Sequence, residues 1–154
     1  MIPIHSARAE LGPAAPCLEV DERQIGPLPD RMIRLVNRDR RRLGLGSLRR
    51  SETLSRSAQR HAAEMAETGI AAHILPGGRS PTARLSTFNV TTERFHENVA
   101  MATSVPQAHA DLWQSPSHRQ ALLDPRVNRI GVGITSVHTE GGPIHFVVQH
   151  LAEL

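Results

Sequence analysis

The chain has 154 residues, one domain's worth, with 18 Lys plus Arg against 15 Asp plus Glu and a formal charge of only +3. Its isoelectric point near 10.8 is a poor guide to partners, because with no Lys and no Tyr almost nothing but Cys17 titrates between His and Arg. One cysteine excludes an intramolecular disulfide, and no stretch approaches membrane-spanning length.

Residues 1–29 carry Pro3, Pro13, Pro16, Pro27 and Pro29 with little periodicity, and are expected to form an arm or linker before a domain over 30–154. They lack a basic-then-apolar export segment, and Cys17 follows "PAAP" with no apolar run, so no lipid anchor is expected there. Asp30 is placed to cap a first helix whose apolar positions Met32, Leu35, Val36 and Leu43 share a face, with Gly44 to Gly46 ending it. That helix and its exit hold eight arginines between Arg31 and Arg50. No aromatic residue interleaves with them, so they describe a solvated face better than a nucleic-acid surface.

Ser51 opens a second helix with Leu54, Ala58, His61 and Met65 on one stripe, and Gly69 closes it. His61 on that stripe is expected to be a core histidine with one partner. The stretch "HILPGGRSPTARLSTFNVTTERF" is turn-rich, with room for one helical turn at Pro81 to Leu85. "ENVAM" suits a short strand and "PQAHADLW" a third helix. "SPSHRQALLDP" suits a fourth, capped by Ser115, opened by Pro116 and stopped by Asp124-Pro125. "RIGVGITSV" and "PIHFVVQHLA", separated by "HTEGG", form a hairpin with a glycine turn. Helices first and a hairpin last predict an α+β layered domain.

His118 lies in the first turn of the fourth helix, where the helix dipole disfavours an imidazolium and leaves a ring lone pair free. That suits a metal ligand, a general base, or a histidine that merely hydrogen-bonds in a loop. His96 and Glu97 are adjacent on a strand, so their side chains point to opposite faces and only one can face a given cleft. Asn98 is expected to serve only as a loop hydrogen-bonder.

In order, "LVNRDRRRLGLGSL", "SAQRHAAEMAETG", "AAHI", "HENVA", "LWQSPSHRQALLDP", "NRIGVGI" and "FVVQHLA" resemble successive motifs of bacterial CAP domains, from about Asp30 to Ala152. This is the superfamily of cysteine-rich secretory, antigen 5 and pathogenesis-related 1 proteins, also called SCP-like extracellular domains. The resemblance implies a three-layer α-β-α sandwich with a small antiparallel sheet between helices, and a secreted or cell-surface setting. It implies a cleft in which His73, His118 and Glu97 match the family's metal-binding histidines and glutamate, with Zn²⁺ or another divalent cation as the cofactor. Two neutral imidazoles and a carboxylate from three elements suit an open site completed by water.

This chain departs from the pattern in three places. Trp113 is followed by "QSPS" without the second acidic residue of many relatives. His96 and Ser117 stand where glycines are usual, and Gln120-Ala121 replaces the usual "xN". Weak metal affinity is therefore expected. The resemblance favours a binding module for a metal and a small lipid or peptide ligand, and nucleic acid is not an expected partner. The alternative is a metal-assisted hydrolase of an ester, peptide or phosphodiester, with His118 and Glu97 as catalytic candidates and a metal-bound water or Ser117 attacking. Ser117 and His118, one apart on a helix, do not face each other, which counts against a serine triad.

Overall fold

A computed structural model describes residues 27–154, so the expectation for an arm lies outside the described residues up to position 26. Helix α1 runs Leu28–Arg42, starting earlier than the sequence pattern suggests. Pro27 is its N-cap, and Asp30 sits in the first turn, where its charge favours the helix dipole without capping it. Leu28, expected in the arm, packs against the core. Strand β1, Arg49–Arg50, is too short to show a period in the sequence. Helix α2 is Glu52–Thr68, with the Ser51 hydroxyl accepting from Leu54 N–H and Gly69 at φ 71° ending it, as the sequence predicts.

Helix α3, Pro81–Ser86, is the single turn expected in the loop, and the Ser80 hydroxyl caps it. Strand β2 is Phe95–Ala102, helix α4 Val105–Gln114 and helix α5 Pro116–Leu122. The hairpin pairs β3, Arg129–Thr139, with β4, Gly142–Ala152. The sheet order is β1-β3-β4-β2, antiparallel except for the β1–β3 pair.

Period-2 alternation sends β4 side chains into two different cores. Val147 and Leu151 join Met32, Val36, Leu112 and Leu122 under α1, α4 and α5. Phe146 and Val148 join Ala58, Ala62 and Met65 of α2 on the other face. The result is the α-β-α sandwich. Helix α2 sits so close to β3 that a Cβ on Gly131 would overlap the backbone between Leu54 and Ser55, and one on Gly133 the backbone of Ala58 and Gln59. Arg40, 1 % exposed, ties the end of α1 to the end of α5 by donating to the carbonyls of Gly46, Leu122 and Asp124. No helix of the described residues is long and apolar enough to cross a membrane.

Candidate functional site

Alternation along β2 decides which residues face which layer. Glu97 points to the α2 side, and its neighbour His96 to the other, where Nε2–H donates to Asp124 Oδ2 at 2.9 Å. The opposite-face expectation for these two holds. Asn98, 2 % exposed, is no loop residue: its Nδ2 donates to Gln149 Oε1 at 3.1 Å and to the His118 carbonyl at 3.2 Å, pinning α5 to the sheet.

The Glu97 side chain is 2 % exposed and fully engaged. Arg84 of α3 donates through Nη1 to Oε2 at 2.8 Å and through Nη2 to Oε1 at 3.0 Å. His150, directly opposite Glu97 in the β2–β4 register, donates Nε2–H to Oε2 at 2.7 Å. His73, in the loop after α2, donates Nδ1–H to Oε1 at 3.0 Å. Burial alone would raise the Glu97 pKa, but the hydrogen bonds from His150 and Arg84 outweigh it and hold it down at about 2. The carboxylate is thus ionised at any physiological pH.

His150 is wholly buried, and burial pushes its pKa down against the pull of Glu97. It acts as a neutral donor whose Nδ1 has no partner among the described residues. His61 is the expected core histidine, its Nε2–H donating to the Ala72 carbonyl at 2.8 Å. That bond fixes the start of the loop carrying His73. Arg84 also donates to the His73 carbonyl at 2.6 Å, so one guanidinium positions both the loop and the carboxylate.

His118 is half-buried in the first turn of α5. Ser115 holds the N-cap position, but its hydroxyl makes no backbone cap bond; it meets His118 Nδ1 at 2.8 Å instead. The expected Ser115 cap is corrected accordingly: imidazole outcompetes the amides for this oxygen. Burial first, and then the neighbouring charge of His73, lower the His118 pKa below its ordinary value. Among the described residues no hydrogen bond or ion pair joins His118 to His73 or Glu97, and His73 acts on it only through its charge.

The Glu97 contacts run to Arg84, His150 and His73, and the hydroxyl on His118 belongs to Ser115. Among the described residues the Ser117 hydroxyl reaches only Ser115 Oγ, at 3.4 Å. Arg84 and His150 are the partners the sequence reading missed. Arg84 hides in a one-turn helix, whereas Gln149-His150 interrupting the apolar β4 run was a readable sign of a buried polar contact.

Residues 33–151 match the cysteine-rich secretory protein family, CAP. The chain belongs to that family. A curated relative, the uncharacterized protein YkwD of Bacillus subtilis, is 30 % identical over 115 residues, covering 74 % of this chain and 43 % of its own length. The chain thus spans less than half of that relative. Among solved structures, an outer surface protein of Borrelia burgdorferi superposes with a TM-score of 0.68 at 23 % identity, covering 80 % of this chain and 90 % of that one. An extracellular protein containing an SCP domain from Bacillus anthracis gives 0.72 at 22 %, covering 82 % and 40 %. At these identities the likeness is one of fold, and the fold is the CAP sandwich.

A divalent metal can be tested against these residues. Each imidazole is oriented through Nδ1, His73 by Glu97 and His118 by Ser115, which leaves each Nε2 to offer a lone pair when Nδ1 carries the proton. Both Glu97 oxygens are already engaged. Among the described residues no group of three or more His, Cys, Asp or Glu side chains is arranged to hold a metal. The described residues therefore form no closed tetrahedral cage, and the two imidazoles are the donors left to offer a lone pair.

Proposed function

We propose that this CAP domain is an extracellular binding module whose cleft, built by His73, Glu97 and His118, takes a divalent cation such as Zn²⁺ weakly and a small lipid or peptide ligand beside it. The observation that carries the reading is the pair of rings held through Nδ1 by Glu97 and Ser115, an arrangement that raises ligand basicity and sets the tautomer. His73 and His118 would hold the ion directly; Glu97 would stand behind His73, and its direct ligation would cost it part of the Arg84 pair. A bound cation would supply Lewis acidity, polarising a carbonyl or phosphoryl oxygen of the ligand. The outer-surface and extracellular descriptions of the Borrelia and Bacillus anthracis proteins support the same setting for this chain.

Binding is favoured over turnover because Glu97, held at a pKa of about 2, is too weak a base to take a proton near neutrality. The hydrolase alternative would have to rest on His118. The test compares ester, peptide and phosphodiester hydrolysis by Zn²⁺-loaded wild type and His118→Ala, alongside Zn²⁺ calorimetry. Saturable Zn²⁺ uptake that needs His118, without turnover, supports the binding reading. Turnover that needs His118 and survives repurification replaces it with the hydrolase.

A further inference from the structure

Helix α2 and the segment 75–88 border a half-open cavity of about 370 Å³ that Arg84 lines but none of His73, Glu97, His118 and His150 does. Its size is that of a small-molecule site at the lower end of the usual range. We propose that this cavity binds a short zwitterionic peptide with apolar side chains, at a site separate from the histidine cleft.

Three observations carry the inference. Ser57, 2 % exposed, lines the cavity, and its hydroxyl has no hydrogen-bond partner among the described residues. A helical serine usually satisfies its hydroxyl on the carbonyl four residues back, as Ser55 does on Ser51 at 2.8 Å; Ser57 does not. Buried hydroxyls are rarely left so, and rotation of the Ser57 side chain towards the cavity would let a ligand carbonyl or amide supply the partner.

The second observation is the charge balance. Arg60, Glu64 and Arg84 belong to pairs already made: Arg60 lies 3.4 Å from Glu64, and Arg84 is committed to Glu97. Glu67 on α2 and Arg79 on the loop remain, neither with a side-chain ion pair or hydrogen bond among the described residues. One free carboxylate and one free guanidinium select against a simple anion or cation and match a ligand carrying both charges. Third, Leu75, Pro76 and Phe88 give the cavity an apolar wall for the ligand's side chains. A dipeptide has all three features: opposite terminal charges, an amide for Ser57, and apolar side chains.

The test uses the dipeptide leucyl-leucine and its blocked form, N-acetyl-leucyl-leucine amide, titrated against isotope-labelled protein by NMR. Leucyl-leucine is expected to bind saturably, shifting amides at 57, 67 and 75–79, and to bind about tenfold more weakly to Arg79→Ala and to Glu67→Gln. Both positions are exposed, so these variants fold, and His118→Ala is expected to bind like wild type. No saturable binding, equal binding of the blocked form, or an Arg79→Ala titration identical to wild type would overturn the proposal. Loss of binding in His118→Ala, with Arg79→Ala unaffected, would assign the peptide to the histidine cleft and overturn it equally.

Discussion

The Arg84 guanidinium meets the Glu97 carboxylate edge to edge, at 2.8 and 3.0 Å, with both side chains at least nine-tenths buried. Two charges taken out of water hold each other only as a pair, and removal of one partner leaves the other stranded. Arg84→Met should therefore destabilise the domain by about 3–5 kcal/mol in urea unfolding. The double variant Arg84→Met, Glu97→Leu should recover a large part of that loss, because it strands no charge. A single variant as stable as wild type would show that Glu97 does not depend on this pair.

Zinc binding should be acid-sensitive. The imidazoles must be neutral to coordinate, and the lowered pKa of His118 keeps it neutral at pH 7. Calorimetry should give a lower affinity at pH 5 than at pH 7. The heat should disappear in the His73→Ala, His118→Ala double variant. Equal affinity at both pH values would mean that other groups bind the ion.

Stability should also fall on acidification, in two stages. His109, His145 and His150 have folded pKa values below the ordinary 6.5, each chiefly through burial, so the unfolded chain takes up their protons first. Their contribution is complete above 6.5 and declines as the pH falls below it. The second stage comes from Asp39, held at about 2 by Arg38 against its burial and aided by His109, and from Asp124, held low by His96, Arg126 and Arg94. Both keep their contribution above the ordinary 3.8 and lose it towards their folded values. Melting temperature should be flat from about pH 8 to 7, fall gently to about pH 5 and drop steeply below about pH 4. A rise in melting temperature between about pH 7 and 5 would contradict these burial-driven shifts.

Helices with complete punctuation were legible in the sequence. Ser51 and Gly69 mark α2 because a hydroxyl cap and a left-handed residue are local requirements, met without help from the rest of the fold. The first boundary of α1 is not legible locally, because Asp30 suits a cap as well as a first turn and only the core position of Leu28 decides between them. The site divides the same way. His73, Glu97 and His118 stand in motifs with a recognisable order, whereas Arg84 and His150 meet Glu97 only through the α3 position and the β2–β4 register. Those are long-range facts, and no local pattern carries them.

Helix α2 seats closely on the sheet at two glycines of β3. In "RIGVGI" the two glycines alternate with Ile130, Val132 and Ile134, so Gly131 and Gly133 share the face turned to α2. A methyl at either would enter rigid helix backbone, which cannot rotate away as a side chain would. Gly131→Ala or Gly133→Ala must instead lift α2, opening the packing of Ala58, Ala62 and Met65 on Phe146 and Val148. The expected cost is about 3 kcal/mol, the upper part of the range for overpacking. Lifting α2 also displaces His61, whose bond to the Ala72 carbonyl anchors the His73 loop, so Zn²⁺ affinity should fall along with stability. Gly46, where an added methyl meets nothing within 4 Å, provides the control: Gly46→Ala should change stability by no more than about 0.5 kcal/mol. If the β3 variants melt and bind like the control, the α2–β3 contact is looser than the structure places it, and the histidine cleft does not depend on it.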